Sequence, residues 1–214
     1  MHVPPMYEAP DPAWIPALIR AHPLATLVTA PDGIPAASHV PMIIRRTPDD
    51  ERLTLVGHMN RMNPQFKAIG DGCPALLVFT GPHGYVSPTV YGFTPAAPTW
   101  NFAVVHASGT LSPLPAGPDT LEVIIDTVTA LEGQLGNGWQ MRDSLEYFDQ
   151  LLPGVGAFSV QVDRVEAMYK LSQEQEPTTR ETVAAAFEAR SSDLAAMMRV
   201  CLDVERSTLG NRVG

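Results

Sequence analysis

The chain has 214 residues, with 14 Lys plus Arg against 23 Asp plus Glu and a formal charge of −9. With 45% hydrophobic and 17% charged residues it has the apolar share of a globular protein and enough length for a sizeable core, which excludes disorder for most of it. No run approaches the roughly 18 uninterrupted apolar residues of a membrane helix, and the opening MHVPPMYEAPDPAW lacks the basic and apolar regions of a secretion signal. A soluble, cytoplasmic protein with no membrane partner is expected. Two cysteines, Cys73 and Cys201, exclude a disulfide framework and a multi-cysteine zinc site. The scattered cations of an acidic chain offer no basic patch, so no nucleic-acid partner is expected. The 21 prolines are about twice the usual share. Proline ends helices and avoids central strands, so these residues mark the joints between elements.

Taken in order, residues 11–21 (DPAWIPALIRA) open on an N-cap residue, carry Pro12 at the first helical position and space Trp14, Leu18 and Ala21 on one face, which predicts a short helix. Residues 24–29 (LATLVT) and 36–45 (AASHVPMIIR) flank a turn at Pro31-Asp32-Gly33 and predict a hairpin, with Pro41 implying an edge or a bulge. A turn at 47–50 leads to a strand at 53–57, and Asn63 before Pro64 predicts the N-cap of a short helix within 58–69. The apolar run 75–80 (ALLVFT) predicts a buried strand. Residues 81–99 hold four prolines, three glycines and two tyrosines, and predict a long ordered or functional loop. Strands are expected at 102–111 and 157–165, amphipathic helices at 119–135 and 143–152, and a mostly helical segment at 178–209 loosened around Ser191-Ser192-Asp193. This order lacks βαβ alternation. It predicts an α+β protein, an antiparallel barrel with peripheral helices rather than a nucleotide-binding parallel sheet. No GxGxxG, phosphate-binding loop or HExxH occurs.

Small barrels carry chemistry on loops and strand ends, and four clusters qualify. In Gly57-His58-Met59-Asn60-Arg61-Met62-Asn63-Pro64 an imidazole stands at a strand end before a helix. The stretches around Tyr85, Ser87 and Tyr91, and around Trp100 and Asn101, offer flat aromatic faces with polar tips, suited to a planar cofactor. His106, inside an alternating strand, reads as structural. The run Met168 to Pro177 places Lys170 between apolar neighbours, where it suits a carboxylate or simply reaches solvent. No Ser-His-acid order, glutamate pair or zinc-ligand spacing stands out. From the residues alone, this is a barrel protein with one cofactor-type pocket.

Six pieces in this order resemble the FMN-binding negative transcriptional regulator (PaiB-like) family. They are Met1-x-Val3-Pro4-Pro5, the stretch from Ala21 to Val28, Gly57-His58-Met59-x-Arg61-x-Asn63-Pro64, Gly81-Pro82-x-x-Tyr85-Val86-Ser87-Pro88, Pro98-Thr99-Trp100-Asn101 and Lys170-Leu171-Ser172-Gln173. The resemblance runs through residues 1–177 and implies an FMN-binding-type split β-barrel of Greek-key-like topology, followed by a helical tail at 178–214. It also implies a homodimer with its cofactor at the subunit interface. Flavin-type members carry a longer, more basic insert before Pro-Thr-Trp-Asn, and Tyr where this chain has Phe102. Here the connection is Gly92-Phe93-Thr94-Pro95-Ala96-Ala97, without a cation. A flavin phosphate seeks cations or a nest of N–H groups, so the neutral connection weakens the expectation of FMN.

These departures look more like the haem-dependent piperazate synthases, a branch of the same fold. That resemblance implies haem b in place of FMN, and closure of N5-hydroxy-L-ornithine to L-piperazate by an N–N bond with loss of water. It makes His58 the axial ligand of the haem iron. Arg61, Asn63, Ser87, Trp100 and Asn101 are expected to bind the cofactor, and Tyr85, Tyr91 and Lys170 to be catalytic. The alternatives are an FMN-binding oxidoreductase of the same fold and a PaiB-like negative transcriptional regulator. The regulator requires a basic face or a helix-turn-helix, and the acidic composition offers neither.

Overall fold

The structure, a computed structural model, describes residues 1–31, 33–45 and 52–210. The first helix, α1 (Trp14–Ala21), starts three residues later than expected. Asp11 accepts the Ala13 N–H on Oδ1 at 2.7 Å and the Trp14 N–H on its carbonyl at 3.0 Å, so residues 11–13 form a turn ahead of the helix.

Strand β1 (Leu24–Thr29) follows Pro23 directly and buries Ala25, Leu27 and Thr29 in alternation. It pairs antiparallel with β2 (Ala36–Arg45), from Thr29 opposite Ala36 to Leu24 opposite Pro41. Both strands lie where the sequence puts them. Pro41 occupies the last rung of that ladder, and from Met42 onward β2 pairs with β3 (Thr54–Asn60), Met42 standing opposite Gly57. The missing proline N–H therefore falls where β2 changes partners. Of the expected turns, Asp32 and residues 47–50 lie outside the described residues. Strand β3 runs three residues beyond its expected end, because His58 to Asn60 continue the ladder to β6 (Val155–Lys170), with His58 opposite Ala157. Helix α2 (Pro64–Lys67) is the short helix capped by Asn63, whose Oδ1 accepts the Gln65 N–H at 2.9 Å.

The segment expected as a long loop, 81–99, is strand at its two ends and a connection over 87–98. Strand β4 (Cys73–Val86) extends through Gly81, Pro82 and Gly84, and β5 (Thr99–Pro113) begins at Thr99, leaving a connection with one 3-10 turn at Pro88–Val90. Gly81 and Gly84 mark crowding, whereas Gly92, at φ 72°, lies in the connection. A Cβ on Gly84 would overlap the ring of Phe187. Likewise β6 reaches back to Val155 and forward to Lys170, absorbing Met168, Tyr169 and Lys170.

Helix α3 (Pro118–Leu135) spans the expected segment, but its buried face is Thr120, Val123, Ile124 and Thr127, while Leu121, Ile125, Val128 and Leu131 of the periodic stripe are half-buried. The helix expected at 143–152 is α4 (Leu145–Leu151) between two 3-10 turns, Met141–Ser144 and Leu152–Gly154. Helices α5 (Pro177–Phe187) and α6 (Ser192–Gly210) divide at the expected serines. The six strands close as an antiparallel barrel in the order β1-β2-β3-β6-β5-β4, with the helices at its periphery.

The chain divides into two compact units, each assembled from separate stretches. One comprises residues 19–79 and 106–165. Its interior includes Leu27, Met42, Leu55, Leu77, Phe79, Leu111 and Phe158, and Val56 of β3 packs with Val123 of α3 and Ala157. The other comprises 1–18, 80–105 and 166–214, with Tyr169, Leu171, Phe187, Leu194 and Cys201 fully or almost fully buried. Trp14 meets the Tyr169 ring edge-on at 5.2 Å, and the Tyr169 hydroxyl donates to the Trp14 carbonyl at 2.8 Å.

Within the first of these units, Gly109 of β5 stands so close to β6 that an added Cβ would overlap the Gln161 carbonyl oxygen, a backbone atom that side-chain rotation cannot clear. Gly109→Ala is expected to lower unfolding stability by about 2–3 kcal/mol, the usual cost of overpacking against backbone. Gly133→Ala, which meets nothing within 4 Å, is expected to leave it unchanged or raised. Urea unfolding midpoints of the two variants check this.

Candidate functional site

The expected site residues fall in both compact units, and each group has its own geometry. In the unit containing β3, His58 lies inside the strand rather than at its end. By strand alternation its side chain shares the face of Val56, the residue that packs with Val123 of α3. Its Nδ1 is buried with no hydrogen-bond partner among the described residues, and burial lowers its pKa from the ordinary 6.5. The imidazole is thus held neutral, with a ring nitrogen whose bonding capacity is unspent.

The neighbours of His58 along the chain are committed elsewhere. Arg61 donates from Nε and Nη2 to the Val155 carbonyl at 3.2 and 3.0 Å and lies 5.9 Å over the Phe66 ring. Asn63 caps α2 through Oδ1 and donates from Nδ2 to Ser38 Oγ at 3.0 Å. Gln65, buried, donates from Nε2 to Leu27 O, Thr29 Oγ1 and Ala36 O at 3.0–3.2 Å. Arg61 and Asn63 therefore fasten the Gly-His-Met-x-Arg-x-Asn-Pro stretch to its own strands, with Gln65 beside them, while His58 Nδ1 and Gln65 Oε1 are buried without a hydrogen-bond partner among the described residues.

In the other unit, β5 sends Trp100 and Asn101 to opposite faces, as its alternation requires. Trp100 is 49% exposed, stacks on His83 at 5.9 Å and donates from Nε1 to His83 Nδ1 at 3.3 Å. Tyr85 of β4 is 47% exposed, lies 6.1 Å from the Trp100 ring, and its carbonyl accepts from Arg190 Nη2 at 3.4 Å. These three rings make an exposed aromatic patch, with Tyr85 tilted 57° to Trp100. Asn101, by contrast, is fully buried. Its Nδ2 donates to Ser172 Oγ at 2.8 Å, its Oδ1 accepts from that hydroxyl at 3.2 Å, and Met198 Sδ lies 3.6 Å away. Asn101 thereby holds the turn after β6, where Ser172 adopts φ 67°, an uncommon left-handed conformation for a non-glycine. Gln173 closes the same turn, accepting the Leu171 N–H at 2.6 Å and donating to the Tyr169 carbonyl at 2.5 Å. Ser87 caps the 3-10 turn at Pro88–Val90, accepting from the Thr89 N–H at 3.4 Å.

A polar cluster forms around the end of β6. Lys170 donates to Thr99 Oγ1 and sits 5.9 Å from the Tyr7 ring centroid. The Tyr7 hydroxyl donates to Glu174 Oε2 at 3.1 Å. Desolvation, the Glu174 charge and that hydrogen bond push the Tyr7 pKa up to about 12. Tyr91 is also raised, by burial and then by Glu174, and stacks on Phe93 at 5.6 Å. Both hydroxyls therefore stay protonated at neutral pH and can act as hydrogen-bond or proton donors. Tyr7, Thr99 and Glu174 were missed as candidates. Tyr7 lies in a Pro-rich opening with no periodicity to mark it, and Glu174 reads as one of several acids in a polar run.

If Glu174 holds the Tyr7 proton in place, Glu174→Gln lowers the alkaline transition of Tyr7 and, with it, that of Tyr91, and Tyr7→Phe removes the first of these. Tyrosinate absorbance followed against pH checks this. An unchanged titration curve in Glu174→Gln contradicts the pairing.

Residues 1–164 match the family model described as "Putative FMN-binding domain". The chain is 28% identical over 186 residues to the protease synthase and sporulation protein PAI 2 of Bacillus subtilis, covering 83% of this chain and 84% of that one. Among solved structures it is similar to the FAD and haem binding protein from Mycobacterium smegmatis, with TM-score 0.53, 18% identity and 83% and 78% of the two chains covered. It is also similar to the flavocytochrome Anf3 from Azotobacter vinelandii, with TM-score 0.52, 16% identity and 75% and 68% covered. These likenesses show the fold, a split β-barrel. With its sequence motifs, its closed barrel and three quarters of its length matched by the family model, this chain belongs to the PaiB-like FMN-binding-domain family.

Proposed function

We propose that the protein is a haem-dependent piperazate synthase, which holds haem b through His58 and closes N5-hydroxy-L-ornithine to L-piperazate in natural-product biosynthesis. The observation that carries this reading is His58, a neutral imidazole whose buried Nδ1 lacks a partner among the described residues. A buried ring nitrogen without a hydrogen bond is costly, and coordination or reorientation toward a ligand answers that cost. A haem iron already holds four ring nitrogens, so one side chain suffices as protein ligand. A flavin phosphate asks instead for cations, and Arg61 is engaged with the Val155 carbonyl. Neighbouring folds in the Mycobacterium and Azotobacter proteins are described as haem-binding and flavocytochrome, which supports the fold's capacity for haem.

When bound, haem supplies a Lewis-acidic iron able to assist departure of the substrate hydroxyl. The chain's own contribution is positioning and proton supply. Lys170, bonded to the neutral Thr99 hydroxyl, is suited to the substrate carboxylate, and ring closure requires the α-amine to be unprotonated. Tyr91, protonated at neutral pH, is a hydrogen-bond donor. The reaction balances without a redox partner: the α-amine nitrogen bonds to N5, the N–O bond breaks, and the hydroxyl leaves with a proton as water. The reading includes a cytoplasmic homodimer, whose interface covers the exposed Tyr85 and Trp100 rings.

The family membership gives equal support to a second reading, an FMN-binding oxidoreductase or PaiB-like negative regulator, in which the aromatic surface of His83, Tyr85 and Trp100 takes an isoalloxazine. The purified protein is expected to show a haem Soret band that is lost or displaced in His58→Ala. Haem is expected to stay bound as the pH falls through 6.5, because the lowered pKa keeps His58 deprotonated below the ordinary imidazole range. The haem-loaded protein is expected to release piperazate from N5-hydroxy-L-ornithine without added reductant. A flavin spectrum in place of the Soret band, or an unaltered substrate, overturns the reading in favour of the second.

A further inference from the structure

We infer a second binding site, for a medium-chain carboxylate, in the groove bounded by the end of α1, strand β2 and the last turns of α3. The cavity is about 520 Å³, within the range of small-molecule pockets. Its walls are apolar, with Ile19 and Met42 almost fully buried at its floor and Ile44 and Leu131 half-buried along its sides. Two polar side chains line it, Arg20 and Gln134. None of the cofactor or catalytic candidates does, so the groove is independent of the function proposed above.

The charge of Arg20 identifies the occupant. Arg20 stands in the last turn of α1, and no carboxylate among the described residues pairs with it. Arg45, next to Ile44 in β2, by contrast binds Asp126 at 2.5 Å and reaches Glu122 at 3.8 Å. Arg20 is exposed at the rim of the groove, and an uncharged apolar ligand would leave its charge without a counterpart there. A small inorganic anion would leave the isoleucine and methionine walls wet. A chain with one anionic end satisfies both, its tail replacing water on Ile19, Met42, Ile44 and Leu131 and its carboxylate meeting the Arg20 fork, with the Gln134 amide as a further donor.

Decanoate below its micellar concentration, titrated calorimetrically into the full chain, is the test. Saturable binding of one decanoate per chain is expected, with 1-decanol at least about tenfold weaker because it lacks the charge that Arg20 answers. Arg20→Gln, on an exposed helical position, is expected to weaken decanoate by about tenfold and to remove its advantage over decanol. Ala130→Trp, which fills the groove from the exposed side of α3, is expected to abolish binding while circular dichroism stays unchanged. No saturation, or equal affinity in both variants and the parent chain, overturns the proposal. So does a change of oligomeric state alone in Ala130→Trp, which would make the groove a subunit contact.

Discussion

In a closed antiparallel barrel the backbone hydrogen bonds of each strand are answered by its two neighbours, so a strand cannot slide by one residue without turning its side chains inside out. This constraint governs the candidate site. It places Asn101 in the interior against Ser172 and Trp100 on the opposite face against His83, although the two are adjacent in sequence. It also aligns His58 with Val56. A motif that reads as one block of neighbouring residues is thereby divided into a structural half and a surface half.

Close approach is the second determinant. Gly84 stands against Phe187 and Gly109 against the Gln161 carbonyl, and each closes a contact that any Cβ would hold open. Pro41 serves a related purpose, since its lack of an N–H falls at the rung where β2 leaves β1 and joins β3. The proline and glycine density that suggests loops thus arises in part from strand crossings packed too tightly for other residues.

The electrostatics separate groups that build from groups that remain available. Arg61 and Asn63 bind their own backbone and strands, and Arg180, buried, makes a two-point contact with Glu205 beside Cys201, whose thiol is pushed up to about 12. These side chains fasten the fold, and Cys201 is an inert thiol. His58, kept neutral by burial, and Tyr7 and Tyr91, kept protonated by burial and Glu174, retain chemical capacity at neutral pH. Arg20 is the cation left facing an apolar groove.

The sequence by itself determined the barrel class, the positions of β1 and β2, the Asn63 cap and the division between α5 and α6, because alternation, helical spacing and capping act over a few residues. It also determined the family, through short motifs spread over most of the chain. Their roles were less legible. Asn63 and Asn101 carry polar groups in conspicuous motifs, yet their amide nitrogens donate to Ser38 and Ser172, partners that local pattern does not reveal. The extension of β4 and β6 and the joining of Tyr7 to Glu174, 167 positions away, were decided only by the tertiary structure. The physical reason is range: a strand is stabilised by its neighbours across the sheet, and a tyrosine's pKa is set by whatever charge the fold brings beside it.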